Sequence, residues 1–529
     1  MRFLLIALVF NLLGTSLIWG QTHFVFAEPV QPPRKTQLIA HRGMATLAPE
    51  NSIEAILALA DDFIEWAEVD IRLTKDGRHI LIHGATLNRT TDGKGPVVEQ
   101  TLEMLQSLDA GSWFAGRFAQ TRLPSLVEVL QKSKGRINLY LDCKQINPAL
   151  LVREILDAGM EKQVIVYGSP EMLAVIQTKA MGKIARMTKF RPKTMHFESF
   201  IAAIQPAAVE IDADEVTQTL CHAFHQKGIK VQAKVLGPEW DKPLYWDKPL
   251  YWKKMIQCGV DWLQTDDPLR ARFTEVRLRI PKFPVGYALH RGAGRHAPEN
   301  TLAAIQMGVQ IGAPFIEVDI RTTEDNRFVL LHDTTINRTT NQKGQIKQMS
   351  HDAILKIDAG IRFGKPFAGT KIPTLDEGLK ALGKQSSAYL DAKAIHPEAL
   401  LLAINKHDIW ERHVVYQSAA YCRQLKALDS RIRLLPPLSS RNGLKELVTL
   451  KPFGVDAKWS ILSKELVDAC HAEGIRVFSD ALGLNETIVE YQKAIQMGVD
   501  VIQTDHPLRL LRAMELLDLS IKEPTSQKR

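Results

Sequence analysis

The sequence predicts an α/β protein of two tandem (β/α)8 barrels of the TIM type, each with a small insert after its third strand. Three observations lead there. A chain of 529 residues exceeds what one compact core supports, which argues for two or more domains. A motif spread over residues 38–91 recurs once, at a shift of 249 residues that carries His41 to His290, Glu68 to Glu317 and His83 to His332 without an insertion. Within the first copy, short apolar runs alternate with helix-length segments, which is the pattern of a parallel sheet covered by helices.

In chain order, one early arginine and the apolar run 3–10 are followed by Val25-Phe26-Ala27 and then Glu28. This reads as a secretory signal, residues 1–27, with cleavage expected after Ala27 and a retained anchor as the alternative. No later run approaches the roughly 20 apolar residues of a membrane span. The mature chain is therefore expected to be exported, to the periplasm or outside the cell, and soluble. The first domain is placed at 28–273, a linker at 274–284, the second domain at 285–515 and a polar tail at 516–529.

Strand candidates in the first domain are 37–40, 67–71, 80–83, 137–142, 164–167, 184–187, 207–211, 229–233 and 262–264, one more than a barrel of eight needs. The second and third are separated by eight residues that include the turn signal Asp76-Gly77, whereas parallel neighbours need a crossover of a dozen or more. Residues 67–83 are accordingly read as a hairpin set into the barrel. Asn51 and Glu54 offer a capping box for a helix over 52–63. The polar stretch after His83 either walls the barrel mouth or is a solvated loop. In the linker, Pro281 and Pro284 break any helix and the charged run 275–279 looks solvated. So short a connection implies barrels that pack against each other. The first domain also repeats Asp-Lys-Pro-Leu-Tyr-Trp at 241–246 and 247–252, either a bland duplication or an aromatic lip of Tyr245, Trp246, Tyr251 and Trp252.

Composition excludes several classes. With 45% hydrophobic and 24% charged residues the chain is an ordinary globular one rather than a disordered tract. The net charge of +8 is spread out, without the run of five or more Lys/Arg that marks a nucleic-acid arm, so no nucleic-acid partner is expected. Five cysteines, none at metal-ligand spacing, point to buried thiols rather than a disulfide framework. Oligomeric state is not legible.

The repeated motif carries the chemistry. Each copy brings an Arg, two His and two carboxylates at i and i+2, which point to one face of a strand and can grip one hard cation. His-Arg-Gly at 41 and 290, Pro-Glu-Asn at 49 and 298, Glu-x-Asp at 68 and 317, and His83 and His332 ahead of Asn-Arg-Thr-Thr resemble the glycerophosphodiester phosphodiesterases. The resemblance covers nearly the whole chain, twice, and implies a barrel that hydrolyses a small-molecule glycerophosphodiester to glycerol 3-phosphate and an alcohol. It implies metal ligands Glu68, Asp70 and Asp142 in one domain and Glu317, Asp319 and Asp391 in the other, with Ca²⁺ or Mg²⁺ suited to carboxylates better than zinc. It implies acid–base pairs His41 with His83 and His290 with His332, and phosphate contacts from Arg42 and Lys144 and from Arg291 and Lys393. Three departures stand out: Asp142 and Asp391 where the family usually has Glu, Gly84 after His83 where Asp333 follows His332, and no Trp-rich motif on the last strands. The second implies a slower first domain. Two other readings fit the same residues, a lysophospholipase D-like activity and a catalytically dead phosphodiester-binding protein.

Overall fold

The structure, a computed structural model, describes residues 24–236 and 249–522. The first half contains β1 (Gln37–Ala40), β2 (Trp66–Leu73), β3 (His79–Leu81), β4 (Asn138–Cys143), β5 (Val164–Tyr167), β6 (Ala185–Lys189), β7 (Ala208–Asp212), β8 (Lys230–Lys234) and β9 (Trp262–Thr265). All but β3 are parallel, and β1 pairs with both β9 and β2, so eight strands close into a barrel. β3 runs antiparallel to β2 with Leu81 opposite Ile71, the expected hairpin. Strands covered on both faces are rich in apolar residues, and Leu38, Ile39, Val69, Leu139, Leu141 and Val166 are all fully buried.

The second half repeats the plan with β10 (Gly286–Leu289), β11 (Phe315–Thr322), β12 (Phe328–Leu330), β13 (Ser387–Asp391), β14 (His413–Tyr416), β15 (Leu434–Leu435), β16 (Pro437–Leu438), β17 (Gly454–Ala457), β18 (Arg476–Asp480) and β19 (Val501–Thr504). Its fifth barrel strand is split into β15, which pairs with β14, and β16, which pairs with β17. The split falls at Pro436, which has no N–H to give, although its carbonyl still accepts from Asp456 N at 3.0 Å. The wall is thus interrupted by one residue and otherwise complete.

The floor of the first barrel is aromatic. Phe26 lies edge-on to Trp66 and Trp262, at ring-centre distances of 5.3 and 5.2 Å, and Gln37 Oε1 accepts from both indole N–H groups at 2.7 and 3.2 Å. Each indole N–H taken out of water thereby keeps a partner.

Several local expectations change. The helix near 52–63 is Ile53–Asp61, capped by the Ser52 hydroxyl, which accepts from Ala55 N, and not by Asn51. The charged run 275–279 is solvated only in part: it continues the helix Pro268–Arg279, with Glu275 2% exposed while Leu278 and Arg279 face solvent. Trp252 belongs to the core, fully buried on the helix Pro249–Cys258 with Arg270 5.5 Å above its ring, so it forms no lip. Tyr245 and Trp246, most of the leader and the end of the tail lie outside the described residues. The five cysteines are free thiols, and no described helix is long and apolar enough to cross a membrane.

Three of the places where the barrels pack against each other involve buried charge or the inserts. Arg34, ahead of β1, meets Glu65 at 2.7 Å and Glu515 of the last helix at 2.6 Å, with all three side chains at most 3% exposed. The two inserts touch where the Arg117 guanidinium lies over the rings of Phe118 and Phe363 and Lys365 N donates to Phe114 O at 2.6 Å. Finally, Asp62, 1% exposed at the end of Ile53–Asp61, faces Arg295 at 3.6 Å, His506 at 3.7 Å and Arg509 at 3.8 Å. Burial alone would raise the Asp62 carboxyl, but His506, Arg295 and His296 hold it below the usual range.

Candidate active sites

Both sites stand at the C-terminal ends of the barrel strands, where such folds present loops around a common mouth. β1 ends at Ala40, so His41 and Arg42 leave the strand directly into the mouth. Arg42 turns the chain at φ 57°, a left-handed conformation that costs a non-glycine residue energy and persists only where surroundings impose it. Here the turn points Arg42 N at Glu68 Oε2, 2.8 Å away. Arg291 repeats this at φ 53°, with its N–H 2.6 Å from Glu317 Oε2.

β2 carries Glu68 and Asp70 on one face, and β4 sets Asp142 in register with Asp70; β11 and β13 do the same with Asp319 and Asp391. In each half the three carboxylates offer oxygens within 4.8 Å of one another. Such crowding is electrostatically costly. Burial, then the neighbouring Asp70, pushes Glu68 up to about 8, and burial with Asp319 and Asp391 pushes Glu317 well above its usual range. An oxygen-only set carrying this much mutually repelling charge fits a hard divalent cation, which would relieve it. Lys144 lies 2.6 Å from Asp142 and 3.2 Å from Asp70, and Lys393 2.5 Å from Asp391 and 3.2 Å from Asp319.

His41 Nδ1 is 2.8 Å from Asp266 Oδ1, while its Nε2 faces Glu68 Oε2 at 4.0 Å. Burial lowers the His41 pKa, but the Asp266 hydrogen bond and the Glu68 charge outweigh it and leave it raised. His290 is held alike by Asp505 at 2.9 Å. His83 is pushed down to about 4 by burial, with Arg42 and Lys144 adding to the effect and Asp70 opposing it. His332 is anchored through Nδ1 to Asp333 at 2.7 Å, and Arg338 ties Asp333 to Glu299 at 2.8 and 2.6 Å. In the second half His290, His332, Arg291, Lys393 and the three carboxylates line one cavity of about 250 Å³. The structure therefore brings the expected residues of that half into one mouth, and the first half matches it through the contacts just given.

Three kinds of residue were not assigned from sequence. Asn51 and Asn300 each hold an aspartate at both ends: Nδ2 donates to Asp70 Oδ2 at 2.9 Å and to Asp319 Oδ2 at 2.7 Å, and Oδ1 accepts from the same aspartate's N–H. Glu50 and Glu299 hold the Arg42 and Arg291 guanidinium groups at 3.1 and 2.9 Å. Asp266 and Asp505 orient the first histidine of each pair. All lay inside visible repeats, Pro-Glu-Asn and Gln-Thr-Asp.

The sequence matches the model of the glycerophosphoryl diester phosphodiesterase family twice, over residues 41–270 and 290–509. Among curated proteins it is 32% identical over 234 residues to a glycerophosphodiester phosphodiesterase of Caldanaerobacter subterraneus, spanning 42% of this chain and 94% of that protein. It is 34% identical over 244 residues to one from Bacillus subtilis, spanning 41% and 82%. A crystal structure of a glycerophosphodiester phosphodiesterase from Agrobacterium tumefaciens is 26% identical, covering 44% of this chain and 96% of its own at a TM-score of 0.39. The two matched regions take in both carboxylate triads and both histidine pairs, and the chain belongs to the glycerophosphoryl diester phosphodiesterase family, once in each half.

Proposed function

We propose that each half hydrolyses glycerophosphodiesters to glycerol 3-phosphate and an alcohol, with a divalent cation, Ca²⁺ or Mg²⁺, held by Glu68, Asp70 and Asp142 or by Glu317, Asp319 and Asp391. The observation that carries this reading is the meeting, twice, of a three-carboxylate cluster with two imidazoles in a mouth of the family's barrel. A cation bound there supplies positive charge against the non-bridging phosphate oxygens. The chain's own groups do the rest. Arg42 and Arg291, steadied by Glu50 and Glu299, present a planar fork to the phosphate, and Lys144 and Lys393 add a point charge. One imidazole takes the proton of the attacking oxygen while the other gives one to the departing alkoxide. In the first site the pair is driven apart, His41 upward and His83 down to about 4, the separation an acid and a base require.

The test is chelator-sensitive turnover of glycerophosphocholine by the wild type, His41→Ala, His290→Ala and the double variant. Loss of an acid–base group costs about 10² to 10⁴ in rate, and the double variant is expected to fall to background. Undiminished turnover in the double variant would remove the site assignment.

We also infer export, from the apolar run 3–10. Phe26 packs into the barrel floor and the Phe24 ring lies tilted against it at 4.8 Å, which favours a junction ahead of Phe24 over the one after Ala27. N-terminal sequencing of the exported protein checks this, and a start at Glu28 would count against it.

A further inference from the structure

We infer that the second barrel carries a pocket for a positively charged alcohol group that the first barrel lacks, so that the halves divide glycerophosphodiesters by the charge of the group released. The inference rests on the activity proposed above. Beside the second site lies a cavity of about 450 Å³ lined in part by Tyr416, Asp456, Trp459 and Asp480. Tyr416, Asp456 and Asp480 also line the cavity that holds His290, His332 and the three carboxylates, so the two spaces adjoin across these side chains. A group attached to a phosphate in the first reaches into the second.

The lining suits a cation. Asp480 Oδ1 is buried with no hydrogen-bond partner among the described residues. Asp456, 8% exposed, takes one hydrogen bond, from Tyr389 Oη at 2.7 Å. Buried carboxylate oxygens with so few donors are costly unless charge arrives to match them. Trp459 and Tyr416 add the aromatic faces that attract ammonium and quaternary ammonium groups. Lys458, the other charged residue on this cavity among those described, is exposed at its rim.

At matching strand positions the first barrel keeps one acid, Glu210 for Asp456, and carries lysines at the other two. β8 ends on Lys234 opposite Gln264, where β18 ends on Asp480 opposite Gln503. Lys189 stands opposite Glu210, where Pro437 stands opposite Asp456. Lys189 bonds Asp212 at 2.6 Å, and Glu210 already accepts from Tyr140 and Tyr167 at 3.3 and 3.2 Å. An ammonium group entering there meets two lysines and carboxylates that are already engaged.

The test uses the full chain with one site disabled at a time. kcat/KM is measured for glycerophosphocholine and for glycerophosphoglycerol, whose released alcohol is uncharged, in His41→Ala, which leaves the second site, and in His290→Ala, which leaves the first. The choline-to-glycerol ratio is expected to be about tenfold higher for the second site. Adding Asp480→Asn to His41→Ala should lower that ratio about tenfold, through KM for the choline compound. Because Asp480 lies near Asp391, taking the ratio cancels any effect on the cation site common to both substrates. Equal ratios in the two sites, or a ratio unmoved by Asp480→Asn, would overturn the inference. If His41→Ala hydrolyses neither compound, the proposed activity of the second site fails on its own account. Calorimetric titration with choline chloride then decides the pocket: binding weakened by Asp480→Asn supports it, and no binding overturns it.

Discussion

Set side by side, the two mouths agree in the contacts that hold the strand carboxylates and the first histidine, and differ behind the second histidine. The bond from the left-handed arginine to the first glutamate is 2.8 Å in one and 2.6 Å in the other, and that from the asparagine to the aspartate is 2.9 and 2.7 Å. The aspartate after the last strand holds the first histidine at 2.8 and 2.9 Å. Behind the second histidine the copies part. Asp333 anchors His332, while its counterpart is Gly84, where a Cβ would lie 2.9 Å from the carbonyl oxygen of Thr86. The first loop has closed around its glycine, so the difference is one of backbone as well as of side chain. Duplication preserved the contacts made on the wall carboxylates and on the first histidine, and left the loop behind the second histidine free to diverge.

The largest expected effect concerns whether the halves form one body at all. Glu515→Ala leaves Arg512 buried without its carboxylate and Arg34 with Glu65 alone, and removing one partner of a buried pair costs about 3–5 kcal/mol. Burial alone would raise the Glu515 carboxyl, yet Arg34, Arg272 and Arg512 hold it down to about 2, against an ordinary 4.5. Its folded pKa is depressed, so this stabilisation is present above about pH 4.5 and is lost as pH falls through about 2. Thermal unfolding followed against pH checks both; a variant as stable as the parent would mean the barrels are merely adjacent.

A smaller effect tests the shared wall. Asn51→Ala and Asn300→Ala each free an aspartate that the asparagine now holds at both ends, and loss of such an orienting partner typically weakens a metal site 10- to 100-fold. Calorimetric titration with Mg²⁺ or Ca²⁺ should give similar losses in the two sites. A loss confined to one would show that the matching distances conceal different energetics.

The smallest probes the perimeter. Asp333→Asn, measured in the His41→Ala background, should reduce turnover about tenfold by loosening the orientation of His332. In the His290→Ala background, where the first site does the work, the same change should leave turnover as it was. A fall there would mean that the sites communicate.

Much of this was legible before folding. Apolar runs located every strand of the first barrel, and the eight residues between Ile71 and Ile80 revealed the hairpin. The carboxylate pairs were readable because two residues on one strand share a face whatever surrounds them. What escaped depends on distant chain. Asp266 meets His41 because the last strand closes against the first, 225 residues away, and nothing local to Gln-Thr-Asp announces it. Asn51 was read as a cap because its neighbour is one. The run 275–279 looked solvated because its partners, among them Glu515 for Arg279, lie as much as 236 residues on. Charge that is compensated across a domain boundary cannot be told from charge facing water.

Asp62 shows how far the partnership has gone. It belongs to the first half, yet it supplies the anion against which Arg295, His506 and Arg509 of the second are arranged, one residue along from the aspartate that steers His290. A severed second half would leave Arg295 and Arg509 without that carboxylate, and His506 with Glu486 as its remaining one, at the edge of its own mouth. What began as two interchangeable copies has become a molecule that cannot shed either without retuning the survivor.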